Sequence, residues 1–220
     1  MNIFMWSGPR NISTALMRSF ENRADTKVWD EPLYAYYLKE TKKNHPLAEQ
    51  IIKKYETNIN ILSKKVSQKL SNKKILYQKH MSHHILSKTP LNWLKNGVNC
   101  FLIRNPKDVL LSYIKKNNLK NSRELGYSTQ IKIFKKIQKL NQKTIVINAS
   151  DLALDPQNIL SALCDNLKIN FSKKMLKWPI GKRKSDGIWG DIWYHNVKSS
   201  TKFEKLKKNN QKIPIKYKKI

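Results

Sequence analysis

Apolar residues along this chain gather in short runs that end abruptly, and between the runs they recur every three or four positions. Ile3, Phe4, Met5 and Trp6 make the first run; Lys27–Trp29, Lys74–Gln78, Asn99–Ile103 and Thr144–Asn148 make four more. Each is too short for a helix and polar at its end, which suits a strand buried on both faces. Between them lie helical patterns. Leu16, Met17 and Phe20 share one face after Ser13, and the helix should end between Asn22 and Asp25. An aromatic-rich helix carries Tyr34, Tyr36, Tyr37 and Leu38, and a long helical region runs from His45-Pro46 to about Leu70. Val109, Leu110 and Tyr113 follow Pro106, Ser122 to Asn141 reads as a helix or pair broken at Gly126, and Pro156 to Leu167 closes the series. Strands alternating with helices predict an α/β fold in three layers, a five-stranded parallel sheet with helices on both faces.

Composition narrows the class. With 220 residues and 40% hydrophobic content, the chain can bury one core. One domain is expected over residues 1–203, followed by a loose basic tail over 204–220. Cys100 and Cys164 lack metal-ligand spacing, and no disulfide is expected. No stretch reads as a signal sequence or a membrane span, so the expected location is cytoplasmic.

The formal charge of +29 would attract any polyanion. Of the 44 basic residues, however, 38 are Lys spread along the whole chain among Asn and Ile. That is compositional bias rather than a footprint, and nucleic acid is not taken as the partner. The six Arg say more, because a planar guanidinium matches phosphate oxygens in a way an ammonium does not.

Candidate chemistry begins at the first strand. Ser7, Gly8 and Pro9 break it, and a helix opens at Ser13-Thr14. Unpaired N–H groups and the positive end of the dipole make such a helix start an anion site, to which Arg10, Ser13 and Thr14 add a charge and two hydroxyls. An ordinary strand-to-helix connection would also use a Ser/Thr cap. The nucleotide-triphosphate loop Gly-x4-Gly-Lys-Ser/Thr is not met, since the residues around Ile12, Ser13 and Thr14 supply neither the second Gly nor the Lys. A second cluster, Arg104-Asn105-Pro106-Lys107-Asp108 through Ser112, follows the fourth strand, and a third, Arg183 to Trp193, mixes basic residues, Gly187, Gly190 and two tryptophans.

These three clusters, in this order, resemble the sulfotransferases, in particular a bacterial sulfotransferase-like branch. Pro9-Arg10-x-x-Ser13-Thr14 resembles that family's 5′-phosphosulfate loop, although the family usually has Gly where Ile12 stands. Arg104-x-Pro106-x-Asp108 with Ser112 resembles its 3′-phosphate segment. Gly187-x-x-Gly190-Asp191 after Arg183 partly resembles its C-terminal nucleotide loop. The resemblance implies a P-loop NTPase-like topology with sheet order 2-3-1-4-5. It also implies sulfuryl transfer from 3′-phosphoadenosine 5′-phosphosulfate (PAPS) to a hydroxyl or amine of a small-molecule or carbohydrate acceptor. The donor would be held by Gly8, Pro9, Arg10, Asn11, Ser13, Thr14, Arg104, Ser112, Arg183, Gly187, Trp189 and Gly190, with Arg10 steadying charge as the sulfuryl group leaves.

The acceptor must also lose a proton, so a base is needed where strands end. Glu31, before Pro32, resembles the glutamate base of the carbohydrate and protein-tyrosine branches; His80, after Lys79, resembles the Lys-x-His site of cytosolic enzymes with the spacing one residue short. Glu31 is preferred. His80 with His84 would suit a metal on a helix, but no third ligand is evident and none is assigned. Two other readings stay open. One is a P-loop kinase of a small metabolite, with Asp30 as its only acidic metal site; the other is a basic nucleotide- or nucleic-acid-binding protein that has lost catalysis. Tyr34 to Leu70 is expected to shape the acceptor pocket.

Overall fold

The computed structural model describes residues 1–70, 74–206 and 211–218. Five strands, β1 (Asn2–Ser7), β2 (Thr26–Asp30), β3 (Ile75–Met81), β4 (Val98–Ile103) and β5 (Thr144–Asn148), form one sheet in the order β2-β3-β1-β4-β5. All pairings are parallel. The expected fold class and strand order are those observed.

The helices are α1 (Ser13–Glu21), α2 (Tyr34–Thr41), α3 (Ala48–Lys54), α4 (Ile59–Ser67), α5 (Pro106–Ile114), α6 (Tyr127–Lys139), α7 (Ala149–Leu154), α8 (Pro156–Leu167), α9 (Gly190–Trp193) and α10 (His195–Lys198). Alternation along β1 sorts the core into two layers. Ile3 and Met5 meet Leu16, Met17 and Phe20 of α1 and Leu160 and Leu163 of α8. Phe4 and Trp6 meet Trp93, Phe101, Ile133 and Ile137 on the opposite face. All six residues of β1 are buried, as the central strand's unbroken apolar run requires.

Two expectations change. The long helix after His45 is two, because Asn58 leaves helical geometry and caps α4 by accepting from the N–H groups of Asn60 and Ile61. The C-terminal stretch is not loose throughout its described part. Tyr217 is buried with Val109, Leu110, Leu119 and Leu125, because α5 leaves an apolar face that a strongly basic segment can still cover with its one aromatic ring. Residues 207–210 and 219–220 of the expected tail lie outside the described residues. Among the described residues no helix is long and apolar enough to cross a membrane.

Candidate active site

A cavity of ≈ 860 Å³ opens at the carboxyl edge of the sheet, where β1, β2, β3 and β4 end. One wall is the loop after β1, from Pro9 to Thr14. Arg10 and Ile12 both adopt left-handed backbone, at φ 62 and φ 54. For a β-branched residue that conformation costs on the order of 1–2 kcal/mol. This strain sits where a glycine would relieve it. Gly8 is needed for another reason: a Cβ there would lie 2.3 Å from the Leu125 carbonyl oxygen, which is backbone and cannot step aside. Ile12 supplies no side-chain cap to α1, so the first-turn N–H groups meet no capping oxygen.

Arg10 and Arg104 both line this cavity. Arg10 Nε donates to Ser112 Oγ at 3.0 Å, and Arg104 Nη1 donates to the Arg10 carbonyl at 3.0 Å. Neither makes a salt bridge among the described residues, and Arg104 Nε, buried, has no partner there. Burial, and then the Arg104 charge, lower the Arg10 pKa. Two half-buried guanidiniums, of which Arg104 feels the Asp108 charge but neither makes a salt bridge among the described residues, could together receive an anion. Ser13 and Thr14 face the same space. Asn11 is fully buried, with Nδ2 donating to the Leu102 carbonyl at 3.4 Å and Oδ1 unpartnered.

The other wall carries a cluster of titratable groups. Glu31, at φ 44 just past β2, has a side chain only 10% exposed. Its Oε1 accepts from Lys79 Nζ at 2.6 Å, while Oε2 lies 4.0 Å from His84 Nε2. Lys79 stands opposite Asp30 in the β2–β3 register and donates to Asp30 Oδ1 at 2.8 Å. Burial raises the Glu31 pKa, the Lys79 ammonium pulls it down, and the Asp30 charge raises it again; the net direction is up. For Lys79 burial works against the charge, but the two carboxylates outweigh it and the pKa is raised. Burial pushes the His84 imidazole well below its ordinary value. Its contact with Glu31 is therefore polar rather than an ion pair. His84 stacks on Tyr34 at 4.8 Å between ring centres, and Tyr34 Oη bonds His45 Nδ1 at 2.9 Å.

Several sequence candidates are not brought here. His80 does not line the cavity. It is 1% exposed on the opposite face of the sheet, stacked on Trp6 at 4.6 Å, and burial lowers its pKa to about 3. Its expected place at the site is corrected by strand alternation: within β3, Lys79 faces the cavity and His80 must then face away. Arg183, Gly187, Trp189 and Gly190 also stand outside the cavity lining, as does Gly8. Trp189 is buried, with Nε1 donating to Asp30 Oδ2 at 3.0 Å, and the Gly187 N–H reaches the same oxygen at 3.3 Å. A Cβ on Gly187 would lie 2.2 Å from the Trp189 ring. Gly190 packs on Tyr194, and Arg183 donates to the Pro179 carbonyl at 3.4 Å. From this segment it is Ile192 to Val197 that form the wall. Within Tyr34–Leu70 only Tyr34, Lys43 and His45 contribute. Sequence reasoning missed Lys79, His84 and Tyr194; a basic residue ending one buried strand beside an acid ending another was the available signal.

Among the described residues no group of three or more His, Cys, Asp and Glu could hold a metal ion. Asp30, the acid a metal-dependent kinase would use, is occupied by Lys79, Tyr194 and Trp189.

A parallel sheet of this order, with a helix opening directly after the central strand's loop, defines a P-loop-like α/β protein. The chain belongs to the sulfotransferase family: a model of the sulfotransferase domain matches residues 1–211. Two Arabidopsis thaliana proteins named branched-chain-amino-acid aminotransferase-like protein 1 and 2 are 38% and 35% identical over 213 residues. That is 97% of this chain, which spans only 38% of their length. In fold, the chain is similar to the sulfotransferase domain of the Synechococcus PCC 7002 olefin synthase, with TM-score 0.53 and 17% identity, over 87% of this chain and 82% of that one. It is likewise similar to a sulfotransferase from Alicyclobacillus acidocaldarius, with TM-score 0.53, 12% identity and coverage of 77% and 81%.

Proposed function

We propose that this domain transfers a sulfuryl group from PAPS to a hydroxyl or amine of an acceptor bound beside Glu31. The observation that carries the reading is the pair Arg10 and Arg104, two guanidiniums that share one cavity with no salt-bridge partner among the described residues. PAPS supplies an activated sulfuryl group and two phosphates. Ser13, Thr14 and the opening N–H groups of α1 would hold the 5′-phosphate, with Pro9 and Asn11 shaping the turn. Arg104 and Ser112 would hold the 3′-phosphate. Arg10, restrained by Ser112, is aimed where charge develops on the departing oxygen, an interaction that strengthens as the bond breaks.

Glu31 is the base. Lys79 occupies Oε1, so Oε2 is the oxygen left to accept the acceptor's proton. A raised pKa brings a carboxylate closer to the pH at which it works. The region around Tyr34, His45, His84 and Trp193 is the acceptor's end of the cavity. His80 has no part in this scheme, and Arg183, Gly187, Trp189 and Gly190, which stand outside the cavity lining, are given no contact with the donor.

The test is transfer of radiolabelled sulfate from PAPS to a panel of phenols, amines and sugars. Glu31→Gln should lower transfer by about 10²–10⁴-fold while adenosine 3′,5′-bisphosphate still binds. A Glu31→Gln protein that transfers at the wild-type rate would contradict the assignment.

A further inference from the structure

The Lys79 ammonium has three N–H bonds, and each has an acceptor: Asp30 Oδ1 at 2.8 Å, Glu31 Oε1 at 2.6 Å and Tyr194 Oη at 2.5 Å. Tyr194 reaches this point from the C-terminal segment, 115 residues along the chain. Its oxygen also accepts from Trp189 Nε1 at 3.0 Å, and its hydroxyl donates to Asp30 Oδ2 at 2.8 Å. Asp30 in turn takes the Trp189 and Gly187 N–H groups. Every polar atom in the knot is committed except Glu31 Oε2. The knot is dry: Asp30, Lys79, Trp189 and Tyr194 are each no more than 5% exposed. The same segment is tied to α1 by Arg18, whose Nη2 lies 2.6 Å from Asp186 Oδ1 with both side chains wholly buried.

We infer that Tyr194 is a positioning residue: with Asp30 it fixes the Lys79 ammonium, which in turn holds Glu31 by one oxygen and presents the other to the acceptor. This rests on Glu31 being the base, and extends that reading by making the C-terminal segment part of the proton-accepting apparatus rather than a cover for the nucleotide alone. The groups facing Glu31 are Asp30 from β2, Lys79 from β3, His84 just beyond β3, Tyr34 from α2 and Tyr194 from the C-terminal segment. Two of them act on its charge in opposite senses. The Tyr194 oxygen lies 3.3 Å from Oε1, but its one proton goes to Asp30 Oδ2, so it favours the carboxylate through the Lys79 ammonium it holds in place, whereas the Asp30 charge disfavours it.

The experiment reads Glu31 directly. Glutamate labelled with ¹³C at the side-chain carboxyl is incorporated; the chain has seven glutamates, and Glu31→Gln identifies the resonance. Tyr194→Phe keeps the ring against Lys79 and removes only the hydroxyl. It should move the Glu31 titration midpoint upward, while Asp30→Asn, which removes a like charge, should move it downward. A residue that merely filled space would not shift the two variants in opposite directions. Adenosine 3′,5′-bisphosphate binding, followed by calorimetry, should stay within about threefold of wild type in Tyr194→Phe, since the knot lies outside the guanidinium pair. An unmoved midpoint in Tyr194→Phe, or shifts of the same sign in the two variants, overturns the inference. Should Tyr194→Phe fail to fold, Asp30→Asn alone decides, and an unmoved midpoint there is sufficient to reject it. Loss of bisphosphate binding by the wild type would instead strike at the proposed function and leave the titration result standing.

Discussion

Lys79→Met tests how much of this edge of the sheet depends on a single buried ammonium. Methionine keeps most of the stem's volume and removes the charge, leaving Asp30 and Glu31 side by side with no cation between them. The Lys79 side chain is 1% exposed, so water does not replace what is lost. Removing one partner of a buried, hydrogen-bonded pair costs about 3–5 kcal/mol. For a chain of this size each kcal/mol lowers Tm by about 2–4 °C, so a fall of about 6–20 °C is expected. The sign of its pH dependence follows from linkage. Lys79 has a raised folded-state pKa, so its contribution in the wild type is present at neutral pH and is lost only as alkali reaches that pKa. Glu31 has a raised folded-state pKa, and losing Lys79 raises it further. An acid so shifted binds its proton more tightly when folded, which lowers stability as pH rises through its folded pKa. The variant's deficit should therefore be larger near neutral pH than at about pH 5. Circular dichroism melts at both conditions measure it. A Tm change under about 2 °C, or a large deficit identical at the two pH values, would refute the reasoning.

Two further outcomes follow from the packing. His80→Phe preserves the stack on Trp6 and deletes both ring nitrogens, so transfer activity should stay within about twofold; a loss of the 10²–10⁴-fold typical of a missing acid or base, with the fold intact, would restore His80 to the site. Gly8→Ala drives a Cβ against the Leu125 carbonyl oxygen at 2.3 Å. It should cost about 1–3 kcal/mol in thermal melts and weaken bisphosphate binding by displacing the loop, and a variant as stable and as tight as wild type would show that the loop is not so confined.

Much of the fold was legible because the five strands announce themselves as short, mostly apolar runs, buried throughout in β1 and β3, and the helix faces of α1, α5 and α8 repeat at helical spacing. That Arg10, Ser13, Arg104 and Ser112 share one cavity was legible too, since they lie in local motifs whose spacing survives folding. At the other wall Glu31 was read, but its partners were not. Asp30 and Lys79 become neighbours only through the β2–β3 register, which no local pattern states. Placing His80 at the site as an alternative base missed by one residue, and in a strand one residue is the whole difference between cavity and core. Trp189 and Gly187 looked like nucleotide contacts because their type and order fit. Asp30, buried without water, instead requires donors, and the C-terminal segment supplies them. The break after Tyr55 was hidden for a different reason, in that apolar spacing alone continues across it and only the Asn58 cap marks a new helix.

The central claim is that a doubly phosphorylated adenosine bridges the start of α1 and Arg104. The direct measurement is calorimetric titration of wild type and Arg104→Ala with adenosine 3′,5′-bisphosphate and with ADP. Charged hydrogen bonds of about 1.5–3 kcal/mol imply that wild type prefers the bisphosphate and that Arg104→Ala loses about 10–100-fold of its affinity for it. Equal binding of the two nucleotides, unchanged by the substitution, would contradict the account.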